Sequence, residues 1–245
     1  MSVVTVEERG PVSIIAINRP EKLNAINKAV AVELQSAFAA FDRSAQRVAI
    51  LAGKGGKAFS SGADVADLPE LWRCVPTVGI KTDKPIIAAV SGWCIGGGLV
   101  MAMMCDLLVA ADTARFSYPE GKIGITGGMI AGLAARIPHK VAMEMMLLGE
   151  PMAAARAYEV GLANRLVAAG GEVAEAMAMA EKIVDLAPLA LAAMKRFVND
   201  GVLPKGPAEL AAGYGAELAA VRNSEDAAEG VRAFREKRRP RYRGR

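Results

Sequence analysis

The sequence contains very little histidine and cysteine. His139 is the single histidine among 245 residues, and Cys74, Cys94 and Cys105 show no paired spacing. A zinc site made of protein side chains is therefore not expected, and a Ser-His-Asp triad has no second histidine to use. An odd number of cysteines without an export signal is typical of reduced thiols, so we predict a cytoplasmic protein without a metal.

Several sequence motifs are also missing. Lys57 in GKGGKAF is followed by Ala58, where a phosphate loop has Ser or Thr, and neither a GxGxxG after a strand nor a GxSxG is present. The start, MSVVTVEERG, lacks the basic and apolar regions of a signal peptide. The uncharged stretch 85–105 contains four glycines, a serine and a proline. This composition favours a buried strand and helix over a membrane span.

Positive charge is concentrated at the C-terminus. The net charge is +4, and residues 231–245, VRAFREKRRPRYRGR, contain eight Arg or Lys and one Glu. Such a tail suits a nucleic acid, a membrane surface or a phosphorylated ligand, and it is equally compatible with a solvated terminus. Because no stacking aromatic pattern accompanies it beyond Tyr242, nucleic-acid binding is disfavoured.

The apolar patterning predicts an α/β fold. Predicted strands cover 12–18, 47–53, 86–90 and 106–111, and a predicted helix covers 28–42. Predicted loops cover 18–27, 53–65 and 115–128. Beyond residue 128 the predicted helices cover 129–137, 139–148, 153–160, 172–186, 189–200 and 206–222. Strands alternate with helices in the first half and helices dominate the second, as in an α/β core followed by a helical region.

The most informative segment is PIIAAVSGWCIGGG, residues 85–98. A buried strand ends in the turn Ser91-Gly92, and the triple glycine Gly96–Gly98 opens an apolar helix. Glycines allow close approach of the backbone, and the start of a helix presents unpaired N–H groups. The segment therefore predicts a site for an oxyanion or a phosphate.

Several segments resemble the crotonase superfamily, which comprises the enoyl-CoA hydratases and isomerases. They are INRPEKLNAIN (17–27), GKAFSSGADV (56–65), KPIIAAVSGWCIGGG (84–98), AMMCDLLVAADTARFSYPEGKIG (102–124) and AMEMMLLGEPMAAARAYEVGLANRLV (142–167). The resemblance implies an α/β spiral of ββα turns with a C-terminal helical region. It places an acyl-CoA-binding core at residues 1–195. Residues 196–245 then form a helical subregion for oligomer contacts and possible contacts to the CoA phosphates.

The resemblance also implies catalytic roles. The backbone N–H groups of Ala63 and Gly97 would hold the enolate-like oxygen of an acyl-CoA thioester. Similar hydratases carry two glutamates; the second corresponds to Glu120, whereas the first corresponds to Val100. Because a carboxyl group in an apolar pocket has a raised pKa, Glu120 suits acid/base work near neutral pH.

The same resemblance assigns the residues that bind substrate. They are Lys22, Leu23, Ala25, Ser61, Asp64, Val65, Gly96, Gly98, Val100 and Tyr118. Trp72 and Trp93 are further candidates for the pocket, although core packing is favoured for Trp93. The segment from Asp64 to Lys84 is short for the family, which predicts an unusual acyl group.

The absence of the first glutamate favours isomerisation over hydration. Moving a double bond from the 3,4 to the 2,3 position needs one base, so Val100 favours isomerisation with Glu120 as the single acid/base. Hydration of a 2-enoyl-CoA and a catalytically silent CoA-binding homologue remain alternatives. Coenzyme A is expected only as part of the substrate, with no separate cofactor. A homotrimer or homohexamer is expected, and neither nucleic acid nor a membrane is an expected partner.

Overall fold

Two sheets organise the chain in a computed structural model that describes residues 2–245. In chain order the strands are β1 (Val4–Arg9), β2 (Val12–Ile17), β3 (Val48–Gly53), β4 (Ala58–Ser60), β5 (Ile86–Val90), β6 (Trp93–Ile95), β7 (Leu107–Ala111), β8 (Arg115–Ser117), β9 (Met152–Ala153) and β10 (Arg165–Val167). The larger sheet has the order β1-β2-β3-β5-β7-β10 and the smaller one β4-β6-β8-β9. Among the paired strands of this described part, β1–β2 and β8–β9 are antiparallel and the other pairs are parallel.

The helices lie around these sheets and form most of the second half. They are α1 (Lys28–Arg43), α2 (Gly97–Met103), α3 (His139–Leu148), α4 (Ala154–Glu159), α5 (Glu172–Val184), α6 (Pro188–Gly201), α7 (Pro207–Arg222) and α8 (Glu225–Arg235). Short 3-10 helices cover Pro20–Lys22, Leu71–Cys74, Glu120–Lys122 and Met129–Ala135. None of the helices in the described part is both long and apolar enough to cross a bilayer.

The central strands are buried on both faces, which explains their continuous apolar sequences. Along β3, Leu51 packs into a core with α1 and α2, whereas its neighbour Ile50 faces a second core with Ala176 and Ala180 of α5. Alternate residues of one strand therefore serve two separate cores. The larger sheet is the rigid support from which the site loops extend.

The chain advances as a spiral, which confirms the predicted fold class. Strands β3, β5 and β7 of the larger sheet are followed by β4, β6 and β8 of the smaller sheet, respectively. Parallel register continues through both sheets, with β4, β6 and β8 side by side. Each turn thus delivers the end of a short strand, and the loop or helix after it, to the same edge of the molecule.

Several elements differ from the sequence-based expectations. The turn predicted after β5 contains β6, and the irregular segment 115–128 contains β8. The predicted helix 129–137 is a 3-10 helix at Met129–Ala135, and α8 was not predicted. A strand of three residues is too short to show a period, and its pairing partners lie far away in sequence.

The C-terminal tail folds back on α8. Arg238 donates hydrogen bonds from Nη2 to Glu229 Oε2 at 3.0 Å, and the Arg241 N–H donates to Glu229 Oε1 at 3.0 Å. Asp226 accepts the N–H of Gly244 at 2.8 Å. The tail is therefore an ordered strap over α8 rather than a loose terminus. The predicted division at residues 195/196 falls inside α6 and remains a prediction.

Candidate active site

Two of the loops predicted to bind substrate lie side by side. The N–H of Ser61 donates to Leu23 O at 2.9 Å, and the N–H of Ile26 donates to Gly62 O at 2.8 Å. The N–H of Asp64 in turn donates to Ile26 O at 2.8 Å. These bonds form a short parallel bridge, so the residues predicted around 22–25 and 61–65 share one side of the site.

A buried polar pair fixes these loops from behind. Asn24 donates from Nδ2 to Lys54 O at 2.9 Å and to Ala58 O at 2.7 Å. Ser60 donates to Asn24 O at 2.9 Å and accepts the N–H of Gly62 at 3.2 Å. Both side chains are fully buried, and breaking such bonds leaves unpaired polar groups in the core. Sequence reasoning missed both residues as supports of the site.

The two predicted oxyanion donors lie together and are unengaged. A Cβ on Gly62, the neighbour of Ala63, would lie 3.4 Å from the nitrogen of Gly97. Among residues 2–245, neither the Ala63 N–H nor the Gly97 N–H donates a hydrogen bond. An unpaired amide is normal at the first residue of α2, but Ala63 has no such explanation. Two free N–H groups on converging loops are suited to a single anionic oxygen.

A leucine that sequence reasoning missed packs on Gly97, the residue of the second predicted donor. A Cβ on Gly97 would lie 2.8 Å from Leu71 Cδ1 and 3.5 Å from Ile26 Cδ1. The Leu71 side chain therefore packs directly on the Gly97 backbone. The 3-10 helix that carries it is held by Arg73, which donates to Gln35 Oε1 of α1 at 3.1 Å. Leu71 forms an apolar wall next to the predicted oxyanion donors.

Glu120 is the carboxylate that the fold brings to these loops. It begins a 3-10 helix just after β8, and its side chain packs against Gly96. Burial raises the pKa of Glu120 to about 6, as the sequence predicted for a carboxyl group in an apolar pocket. Its Oε2 atom is buried and has no hydrogen-bond partner within the described part of the chain. A half-buried carboxylate with a free oxygen is suited to accept and return a proton.

The position that corresponds to the first glutamate of similar hydratases is apolar. Val100 lies one turn along α2 from Gly96, whose carbonyl accepts the Val100 N–H at 3.0 Å. The residue is 2% exposed and belongs to the main core. No neighbouring charge in residues 2–245 contributes to the raised pKa of Glu120. Glu120 therefore has no ionised partner beside it within the described chain.

Tyr118 lies just after β8, two residues before Glu120. Its hydroxyl group is hydrogen-bonded to the Thr126 hydroxyl at 2.9 Å, and Thr126 Oγ1 also accepts the N–H of Gly128. Burial is the main cause that raises the pKa of Tyr118, and the charge of Glu120 adds to it. The phenol is thus protonated at neutral pH and ties the loop after Glu120 to β8.

The remaining predicted binding residues lie at the rim. Val65 is 73% exposed, whereas Asp64 is partly buried and forms an ion pair with Arg19 at 3.0 Å. The hydrogen bond from Arg19 lowers the pKa of Asp64. Lys22 is exposed at the same edge. Exposed apolar and basic groups at this rim are compatible with a nucleotide-bearing ligand, and their predicted contacts stay predictions.

The two tryptophans occupy different environments. Core packing was favoured for Trp93, and this expectation was wrong: the residue is 40% exposed. It lies on the outward face of β6, whereas the next residue, Cys94, faces the core. Trp72 is partly buried in the wall segment, with the Arg73 guanidinium carbon 4.6 Å from its ring centre.

The chain is similar to proteins of one family along nearly its full length. The family model described as "Enoyl-CoA hydratase/isomerase" matches residues 7–245. A carnitinyl-CoA dehydratase from Citrobacter koseri is 36% identical over 252 residues, covering 96% of each chain. The crystal structure of an enoyl-CoA hydratase from Mycobacterium tuberculosis superposes with a TM-score of 0.77 at 38% identity, with both chains fully covered. A carnitinyl-CoA dehydratase structure from Mycobacterium avium gives 0.78 at 37% identity, again over both whole chains.

Proposed function

The chain belongs to the enoyl-CoA hydratase/isomerase family, and we propose that it isomerises the double bond of an enoyl-CoA with Glu120 as its single acid/base. The observation that carries this proposal is the single half-buried carboxylate beside two free amides, with Val100 where a second carboxylate is expected. The substrate would be a 3-enoyl-CoA thioester and the product its 2-enoyl isomer. Coenzyme A enters only as part of these molecules.

The oxyanion donors would carry the charge that the reaction creates. When the thioester loses a proton from its α-carbon, the electron pair delocalises onto the carbonyl oxygen. The N–H groups of Ala63 and Gly97 form no hydrogen bond within residues 2–245, so neither has to break one before it donates to that oxygen. Because preorganised donors need no reorientation, each contributes about 3–4 kcal/mol to the stability of such a transition state.

A single base completes the isomerisation. Glu120 takes the α-proton as a carboxylate, becomes neutral, and returns the proton to the γ-carbon of the dienolate. The bond between the α- and β-carbons becomes double, and the original double bond becomes single. Hydration differs, because water must be held and deprotonated at the β-carbon while another group handles the α-proton. The apolar Val100 removes the side chain that would share that work.

Hydration or dehydration is the second candidate. Relatives with 36–38% identity are named carnitinyl-CoA dehydratase or enoyl-CoA hydratase, and their names favour a β-hydroxyacyl or 2-enoyl thioester as substrate. The deciding experiment compares initial rates on 3-enoyl-CoA and 2-enoyl-CoA thioesters of equal chain length. The proposal requires a clear preference for the 3-enoyl substrates; efficient hydration of 2-enoyl-CoA would replace it with the second candidate. CoA binding without either activity would favour a silent homologue.

Restoring the missing carboxylate should restore hydration. We expect Val100→Glu to raise the rate of 3-hydroxyacyl-CoA formation from 2-enoyl-CoA by about tenfold or more, because two carboxylates can then divide the proton transfers. Val100→Gln is the matched control, since it adds a similar volume without a carboxylate. Chromatography of the products measures the effect, and thermal unfolding checks that both variants fold. Equal hydration by the two variants would contradict the argument from position 100.

The pH dependence should report the raised pKa of Glu120. Because the carboxylate form is the base, kcat/KM should rise with pH through an apparent pKa of about 6 and level off above pH 7. Below that pKa the group is protonated and cannot take the α-proton. A pH–rate profile on the better substrate between pH 4.5 and 8.5 measures this. If kcat/KM instead fell only at the ordinary pKa of glutamate, the result would contradict a base in an apolar pocket.

The basic tail would interact with the phosphates of CoA, bound to this subunit or to its neighbour. Arg239, Arg241 and Arg243 line a surface pocket, and their guanidinium groups form no ion pair within residues 2–245. We expect their combined change to Gln to weaken CoA binding by roughly tenfold at low salt and less at high salt. Calorimetric titration measures this. The matched control changes the exposed Arg43, Lys140 and Lys182 to Gln, and an equal effect there would contradict a local contact.

A homotrimer or homohexamer is the proposed assembly. Apolar side chains on the C-terminal helices are unusually exposed, including Leu189 and Phe197 on α6 and Phe234 on α8, each at 71–85%. Large exposed apolar groups of this kind mark interaction surfaces. Sedimentation measures the assembly directly.

A further inference from the structure

The first glycine of the triple glycine is bound to the segment that carries Glu120. Gly96 lies between β6 and α2, with a φ of 54° and a ψ of −117°. Its N–H donates to Ser117 O at 2.9 Å, three residues before Glu120. Gly96 therefore holds both the start of the helix that bears Gly97 and the end of β8.

The carboxylate occupies the space that a side chain at Gly96 would need. A Cβ there would overlap Oε1 of Glu120 and would lie 3.3 Å from its Cδ and 3.8 Å from its Oε2. All three nearest atoms belong to this one carboxylate. Contacts below about 3.4 Å between a methyl carbon and these atoms require one of them to move.

Packing, rather than polar contacts, holds the carboxylate. Within residues 2–245 no other side chain donates a hydrogen bond to Glu120, and its buried Oε2 has no partner at all. The remaining polar contact is a bond from the backbone N–H of Glu120 itself, which links the carboxylate to no other element that would keep it in place if a methyl group pushed it aside. The Gly96 backbone is therefore the surface that decides where the carboxylate lies relative to the amides of Gly97 and Ala63.

We propose that Gly96 is a positioning residue for Glu120: its missing side chain places the carboxylate beside the oxyanion donors. This inference rests on the proposed role of Glu120 as the base. Gly97 and Gly96 then have different roles. The N–H of Gly97 donates to the substrate oxygen, whereas the missing side chain of Gly96 leaves room for the Glu120 carboxylate. Among the three glycines, Gly98 instead packs on the buried Ser60.

The test is a comparison of Gly96→Ala and Gly10→Ala, with and without Glu120. Gly10 has the same φ of 54° and nothing within 4 Å of its Cβ position, so Gly10→Ala introduces the backbone strain without the overlap. We expect Gly96→Ala to lower kcat by about 10²-fold, because misplacing a reacting group by about 1 Å has this effect. KM and CoA binding should change less than threefold, and Gly10→Ala should leave kcat within about threefold of the wild type.

The double variant separates positioning from folding. If the carboxylate is already displaced, adding Glu120→Gln to Gly96→Ala should lower kcat by only about fivefold, far less than in the wild type. The inference would be overturned if Glu120→Gln lowered kcat as much in the Gly96→Ala background as in the wild type. It would also be overturned if Gly96→Ala alone kept kcat within threefold of the wild type. If Glu120→Gln is harmless in the wild type, the proposed function fails instead.

Stability gives a second readout that does not depend on activity. Because the three atoms nearest to the added methyl carbon all belong to Glu120, shortening that side chain with Glu120→Ala should raise the melting temperature of the Gly96→Ala variant. If Gly96→Ala alone does not fold, the Gly96→Ala, Glu120→Ala double variant should fold. A double variant that is no more stable than Gly96→Ala would overturn the inference, because backbone strain alone would then explain the damage.

Discussion

Glu120→Gln should lower kcat by about 10³-fold while leaving the affinity for CoA nearly unchanged. A positioned acid/base group typically raises the reaction rate by about 10²–10⁴-fold. Position 100 is a valine, so no second carboxylate there can replace Glu120. Glutamine keeps the shape of the side chain, so the packing on Gly96 survives. Steady-state kinetics on enoyl-CoA and calorimetric titration with CoA measure the two effects separately.

The matched control for this change is Glu144→Gln. Glu144 lies on α3, is exposed and forms no ion pair in residues 2–245. We therefore expect Glu144→Gln to change neither kcat nor the affinity for CoA. A Glu120→Gln enzyme that retains more than a tenth of wild-type kcat would contradict Glu120 as the base. Loss of CoA binding together with activity would assign Glu120 to binding rather than to proton transfer.

Gly97→Pro should lower kcat by about 10²–10³-fold, which corresponds to about 3–4 kcal/mol of transition-state stabilisation. Proline removes the one N–H that the oxyanion would use. Position 97 is the first residue of α2, where proline fits the helical backbone and where no hydrogen bond within the described chain is lost. The change thus removes a hydrogen-bond donor with little effect on the structure. The loss of kcat at saturating substrate measures what this donor contributes to catalysis.

Gly97→Ala is the control for the added side-chain carbons. Both variants place a Cβ against Leu71, whose flexible end can move aside, but alanine keeps the N–H. We therefore expect Gly97→Ala to lower kcat by less than about tenfold. Equal losses in the two variants would assign the effect to the Leu71 contact and would contradict an oxyanion donor at Gly97.

The sequence alone was sufficient for the fold class and for the loops that form the site. Long apolar strands such as 86–90 and the glycine-rich turns have local signals, because burial on both faces and close backbone approach restrict residue types. Three-residue strands such as β6 and β8 have no period to detect. Their existence depends on parallel neighbours more than fifteen residues away, and for that reason the segment 115–128 was predicted to be irregular.

Supporting contacts were less predictable than the reacting groups. Leu71 and Ser60 occur in stretches with no pattern that distinguishes a site residue from an ordinary apolar or polar one. Their roles arise because Gly97 and Gly98 leave space for them, and such contacts are decided by the three-dimensional approach of separate loops. The overlap between Gly96 and Glu120 is of the same kind. A triple glycine predicts close approach, but not which atoms fill the space.

If Glu120 and the two free amides form and hold an enolate, the protein should exchange the α-protons of a bound thioester with solvent. The most direct measurement is exchange of the α-protons of a saturated thioester, butyryl-CoA, in deuterium oxide, followed by mass spectrometry. It needs neither a double bond nor water addition, so it is independent of the choice between isomerase and hydratase. We expect α-deuteration by the wild type and at least about a hundredfold slower exchange by Glu120→Gln at equal CoA occupancy. Equal exchange rates in the two proteins, or bound butyryl-CoA without exchange in the wild type, would contradict it.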